Sequence, residues 1–223
     1  MARTARNRNR LVSNLHQAAG GAKQHAATIL LLQNTEAAIL ATVEVLMGRP
    51  ATPDGGSPLV IGVIDQWCIA RSAKLTANAH YRAVLQDGRE LALTCVSTLK
   101  IALGRKWNSR WQGVVFSTAS LRVPRKAGGT LRSLAGYYAA NPSREVRGVN
   151  GVDCTAAACD AAAKAIDNAR IARNFANGAA VQAKRAYNAG LKVARQRMIG
   201  LRAELSMLLK PNDPRWLSFG LEK

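Results

Sequence analysis

From Leu11 onward the residues Leu11, Leu15, Ala18, Ala19, Ala22 and Ala26 recur three or four apart, the spacing of one helix face, with the pair Gly20-Gly21 weakening that helix locally. Thr28-Ile29-Leu30-Leu31-Leu32-Gln33 is too short to assign by periodicity, and Asn34-Thr35-Glu36 after it is a helix start. A second helix then carries Ile39, Val43 and Leu46 on one face and stops at Gly48-Arg49-Pro50. Residues 48–58 are the clearest loop in the chain, rich in Gly and Pro. The run Leu59 to Ile64 is strand-like by composition, but it leads without punctuation into Trp67, Ile69, Ala70, Ala73 and Ala77, so helix is expected with an uncertain first turn. Asp87-Gly88 should interrupt or cap it; Leu91, Cys95, Leu99 and Leu103 form a further stripe that stops at Gly104.

Residues 105–151 differ in kind, with short elements, two Trp and several Gly and Pro breaks. A short helix is expected around Trp107 to Phe116, an extended Ser120 to Pro124, and a helix from about Thr130 to Ala140 ended by Asn141-Pro142. This region is expected to cap one end of a helical body. From Val152 to Leu209 the chain is proline-free, and seventeen of the residues from Asp153 on are Ala, the strongest helix former. An unbroken helix there would run to roughly 85 Å at about 1.5 Å per residue, and Asn177-Gly178 is the place where a hairpin would split it. Its seam is best defined at Leu191, Ala194, Met198, Leu201, Leu205 and Leu208 and thins to Ile166, Phe175 and Ala farther back.

The fold class that follows is all-α: an elongated bundle of long antiparallel helices with a small capping subdomain of short helices. The chain divides into a disordered basic arm at 1–9, bundle helices at 10–104, the cap at 105–151, a long helix or hairpin at 152–210 and an aromatic tail at 211–223. No solenoid-type repeat, signal peptide or membrane-length apolar run is recognised. Cytoplasmic location is the default, although unconventional export leaves no mark in a sequence.

Charge changes this picture most. The formal net charge is +19, concentrated at the first ten residues and in the second half of the chain. Such an excess opposes self-association through like surfaces and favours polyanions. Three places could serve a polyanion: the arm (Arg3, Arg6, Arg8, Arg10), the patch Arg105, Lys106 and Arg110, and a stripe of Arg173, Lys184, Arg195 and Arg202. The stripe residues lie eleven, eleven and seven apart, so all four project close to one direction on an unbroken helix. They could track a phosphate backbone, or flank the apolar seam with their aliphatic stems. Trp107 and Trp111 could stack bases among the patch cations, but in a chain with 5% aromatics buried anchors are favoured. Trp216 and Phe219, beyond two prolines that forbid further helix, are expected to fold back and plug the end of the bundle; a docking peptide is the sharper alternative.

Catalytic chemistry is thinly supplied. His16 and His25 fall on opposite helix faces, His80 stands alone, and no nucleophile elbow, P-loop, dinucleotide or zinc-protease motif occurs. Cys68, Cys95, Cys154 and Cys159 have no metal-ligand spacing and are expected as buried free thiols. Neither cofactor nor metal is expected, and an enzyme is disfavoured.

Several pieces together point to relatives: Leu31-Leu32-Gln33-Asn34-Thr35, Leu103-Gly104-Arg105-Lys106-Trp107 with Trp111, Ser120-Leu121-Arg122-Val123-Pro124, Arg195-Gln196-Arg197-Met198-Ile199-Gly200-Leu201 and Asp213-Pro214-Arg215-Trp216-Leu217-Ser218-Phe219-Gly220-Leu221. From about residue 10 the chain resembles a group of uncharacterised bacterial proteins, mainly of Verrucomicrobia and related phyla. The resemblance implies an all-helical module, followed in some members by a fibronectin type III domain where this chain ends at Lys223. It implies no enzyme class and no functional residues. The expected function is a structural or interaction module that assembles with itself or another protein; the alternative is a nucleic-acid or polyanion binder without sequence preference.

Overall fold

The computed structural model describes residues 2–52, 56–114 and 120–221, with side chains from Arg8 onward. It is an all-α helical bundle with helices α1 (Ala2–Gln24), α2 (Glu36–Met47), α3 (Val63–Leu103), α4 (Gly128–Ala140), α5 (Ala156–Leu208) and α6 (Arg215–Ser218). Two antiparallel ribbons interrupt it, β1 (Gly48–Arg49) with β2 (Val60–Ile61), and β3 (Val146–Val149) with β4 (Val152–Cys154). The chain forms two compact units, the first from residues 1–71 with 179–223, the second from 72–178.

In the first unit α1 begins at Ala2, where a disordered arm was expected. Arg and Ala are both strong helix formers, the stretch has no Pro or Gly, and Leu15, Ala18, Ala19 and Ala22 anchor the following turns in the core, so the helix propagates back through the basic residues. Thr35 caps α2 as its spacing predicted, its hydroxyl accepting from Ala38 N, and Ile39, Val43 and Leu46 are buried. The run after the Gly/Pro loop is corrected: Val60 and Ile61 pair with Gly48 and Arg49, and helix starts only at Val63. Leu191, Ala194, Leu201 and Leu205 of α5 complete this core, with Met198 packed at its edge. The last position differs, because Leu208 is half exposed while Leu209 is buried. Four residues on from Leu205 advance about 40° around a helix of 3.6 residues per turn, whereas three fall about 60° short, so Leu209 lies nearer the core.

The Thr28–Thr35 connection is held by two side chains of α5. Glu204 of α5 accepts from the backbone N–H groups of Leu32, Gln33 (3.2 Å) and Asn34 (3.1 Å) and from the Asn34 amide (2.7 Å). Arg197, about two turns earlier, donates to Gln33 O at 2.9 Å. Partial burial pushes the Glu204 carboxyl up, but the donors from Asn34, Leu32 and Gln33 outweigh it and hold the group below its usual value. Glu204→Ala is therefore expected to cost about 3 kcal/mol in urea unfolding, since a charged acceptor is lost and the Asn34 donors stay buried. Because the folded carboxyl titrates lower than the unfolded one, its contribution is present above the unfolded pKa and lost as pH falls through the folded one; the difference from Glu204→Ala should shrink on acidification below about pH 4.

In the second unit Leu91, Cys95, Leu99 and Leu103 are buried as the stripe predicted, and Gly104 at φ 101° ends α3. Asp87-Gly88 does not interrupt the helix. A Cβ at Gly88 would lie 2.7 Å from Ile166 Cδ1, so the glycine is the close-packing point of α3 against α5, and tertiary contact outweighs its poor propensity. Residues 105–151, expected to cap a helical body, take part in a core of their own unit. Trp111, Val114, Val123, Leu131, Leu134 and Tyr138 form one core with α3, Cys159, Ala163 and Ile166. The helix expected at Trp107 to Phe116 is a 3-10 turn over Ser109–Val114; residues 115–119 lie outside the described residues. The β3–β4 hairpin turns through Asn150 and Gly151, both at positive φ, and had no counterpart in the expectation.

α5 is one continuous helix through Asn177-Gly178, with Ala on both sides supporting propagation. Phe175, read as part of its seam, is 80% exposed. It stands nine residues from Ile166, about 180° around the helix, on the side away from that core.

Candidate functional site

The sequence offered anchors and cations; the structure separates them. Trp111 is fully buried, its Nε1 donating to Gly104 O at 3.2 Å, and Trp107 packs half-buried on the same core. The core demands large side chains in an aromatic-poor chain, so the indoles anchor the segment, and Trp111 offers no face for base stacking. Arg105, Lys106 and Arg110 remain exposed around them.

The tail folds back within the first unit. Lys210 O accepts from Trp216 Nε1 (3.0 Å), Asp213 pairs with Arg215 (2.7 Å), and a turn of helix starts after Pro214, which has the φ that a helix start needs. The two prolines thus stop α5 without forbidding α6. Phe219 is buried 6.0 Å from the His25 ring, Gln17 donates to Leu217 O at 3.0 Å, and His25 meets Ser218 Oγ at 3.2 Å. Close approach explains Gly21, where a Cβ would lie 2.7 Å from Ser218 O. Phe219 is thus buried in the core of its own unit, and Trp216 packs half-buried against that core.

The other basic residues meet different surroundings. Arg3 and Arg6 have side chains outside the described residues, and Arg8 bonds its neighbour Asn9 at 3.1 Å. Arg10 and Arg202 line one cavity with Asn14 and Gln17. Of the stripe, Arg173 lies in the second unit with its guanidinium 4.3 Å from the Tyr81 ring centre, a cation–π contact, while Lys184, Arg195 and Arg202 are exposed in the first.

His16 bonds Val12 O of its own helix and His80 is exposed. No group of three His, Cys, Asp or Glu placed to hold a metal occurs among the described residues. Cys95, Cys154 and Cys159 are buried free thiols, with Cys95 Sγ 3.7 Å from Cys159 Sγ; Cys68, expected to be buried too, is exposed. Cys68 lies at the surface of α3, beside the β1–β2 ribbon.

What sequence reasoning missed is an apolar face on the first unit. Met47 of α2, the β1–β2 ribbon, and Cys68 and Ile69 of α3 line a cavity of about 530 Å³. Leu59 and Ile69 are 64% and 59% exposed, Met47, Val60 and Ile61 are also exposed, and Leu40 stands two turns from Met47 on the same side of α2. Few charges lie here. Arg49 is ion-paired to Glu44 at 3.2 Å, and Asp65 is the other charged group lining the cavity. The signal was the apolar run after the Gly/Pro loop, which looked like the start of a buried helix and instead lies at the surface as a strand.

The chain matches no protein-family model, and no curated protein or solved structure is significantly similar to it. No helix among the described residues is long and apolar enough to cross a membrane.

Proposed function

We propose that this protein is a non-enzymatic structural module that assembles with a second copy of itself through the apolar face of the first unit. The observation that carries this is the cluster of Leu40, Met47, Leu59, Val60, Ile61 and Ile69, large apolar side chains exposed together where the lining charges are only Asp65 and the paired Arg49. Contiguous exposed apolar surface of this kind marks interaction sites. A two-fold dimer uses the same patch from both partners, so the patch must not repel itself. The net charge of +19 would oppose association elsewhere on the surface, but not here.

Light scattering across a concentration series should give a mass rising from monomer to dimer, more readily as salt screens the remaining charge. Ile69→Glu should remain helical by circular dichroism and stay monomeric. Cys68, the exposed thiol on this face, should give a covalent dimer with a short bis-maleimide, and Cys68→Ser should abolish it. A wild-type monomer at every concentration and salt level would remove the proposal.

Polyanion binding is the second function with a specific observation behind it. Residues 91–144 contain no acidic residue, and Arg105, Lys106 and Arg110 among them are exposed. That excess lies in the second unit, away in sequence from the apolar face, and it suits phosphate contacts without sequence preference.

A further inference from the structure

Leu121 to Pro124 lies outside any helix or strand, after the segment that carries Trp111. Val123 is buried in the core of the second unit, while its neighbours Arg122 and Pro124 are exposed. Arg125 follows. These residues face Arg89 of α3 across a cavity of about 570 Å³ lined by Arg89, Arg122, Val123, Pro124 and Arg125. Three of the five lining side chains are guanidinium groups and none is a carboxylate.

No carboxylate among the described residues is ion-paired to them. Glu90 takes the Gln86 amide at 2.6 Å, Asp87 is exposed and absent from the lining, and Asp167 is taken by Arg132 and Arg170. Among the described residues Arg89, Arg122 and Arg125 make no ion pair, and the Arg89 Nε is shielded from solvent without a hydrogen-bond partner. A shielded, unsatisfied donor beside two further cations is costly to keep unless an anion completes it.

We propose that this cavity binds a phosphate group. Guanidinium forks match tetrahedral oxyanions with paired N–H donors, and three of them can contact a dianion from separate directions. The cavity is larger than a bare oxyanion, and the Val123 and Pro124 wall offers an apolar surface to whatever the phosphate is esterified to. The ligand class is therefore a phosphomonoester, with a free phosphate or a nucleic-acid phosphate as other sources of the same group.

The test is calorimetric titration of the full chain at fixed ionic strength with inorganic phosphate, adenosine monophosphate and a short single-stranded oligonucleotide, with acetate and chloride as controls. One saturable site for phosphate and none for acetate or chloride is expected. Arg89→Gln and Arg122→Gln should each weaken it about tenfold or more, as loss of a charge-assisted bond does, while Arg105→Gln in the same unit should not. Arg122 is exposed, so its variant should keep the wild-type circular dichroism. Tighter binding of the nucleotide than of phosphate supports a small phosphoester, and tighter binding of the oligonucleotide supports a backbone phosphate. Equal heats for phosphate and chloride, or unchanged affinity in Arg122→Gln, would overturn the site. Self-assembly through the first unit is untouched by either result.

Discussion

Above about pH 9 the second unit is expected to lose stability steeply, by about 1.4 kcal/mol per pH unit for each buried acid that keeps its proton only in the folded state. Three such groups meet in its core. The Cys95 thiol is pushed far up by its bond with Cys159 and by burial, the Cys154 thiol is pushed up to about 12 by burial and by Cys95, and burial raises the Tyr138 phenol. In each case the folded pKa exceeds the unfolded one. Their contribution is therefore complete below the unfolded values and declines as pH rises toward the folded ones. The unfolded chain releases the two thiol protons first, which gives about 2.7 kcal/mol per pH unit between about pH 9 and 10, with Tyr138 adding above that. The loss by pH 11 is about 7 kcal/mol, enough to unfold a chain in the lower part of the typical range of about 5–15 kcal/mol. Denaturant titrations from pH 7 to 11 under reducing conditions measure this slope. Cys95→Ala should reduce it by about half between pH 9 and 10; a flat profile would show that the thiols ionise in place.

Trp111→Ala should be the most damaging single truncation in the chain. The side chain is fully buried among Leu103, Val114 and Leu131, and its indole nitrogen satisfies the carbonyl of Gly104, the residue that ends α3. Emptying that volume costs about 3–5 kcal/mol. Trp111→Phe should recover much of the packing but leave the carbonyl without its donor, a residual loss of about 1 kcal/mol. Thermal unfolding followed at the tryptophan band and in the far ultraviolet separates the two variants. If Trp111→Ala unfolds like the wild type, the indole is not an anchor, and stacking by the Trp107–Trp111 segment returns as a possibility for nucleic-acid binding.

The site proposals differ in how far they could be read in advance. The basic character of residues 105–126 was visible, but the sequence pointed to Arg105, Lys106 and Arg110 beside the indoles, while Arg89 and Arg122 looked unremarkable. Arg89 is 33 positions before Arg122, and only the packing of segment 121–124 on α3 brings them to one cavity. The apolar face was hidden for a related reason. Leu59 to Ile64 has the composition of buried chain, and nothing local says that β2 pairs with just two residues of β1 and leaves its outer side uncovered. The stripe from Arg173 to Arg202 was read correctly as helical spacing, yet Arg173 is taken up by Tyr81.

By itself the sequence determined what depends on neighbours within a few turns: the helical state of the alanine-rich segment, the Thr35 cap, the stop at Gly104, and the stripe of Leu91, Cys95, Leu99 and Leu103. Propensity, capping and periodicity are local energies, and the local residues supply them. Tertiary structure alone decided that helix continues through Gly88 and Asn177-Gly178, that Leu209 replaces Leu208 in the core, and that side chains from residues 105–151 share a core with α3 and α5. Those choices turn on burial against residues distant in sequence, where a packed contact or a satisfied carbonyl outweighs the fraction of a kilocalorie per residue that local propensity contributes.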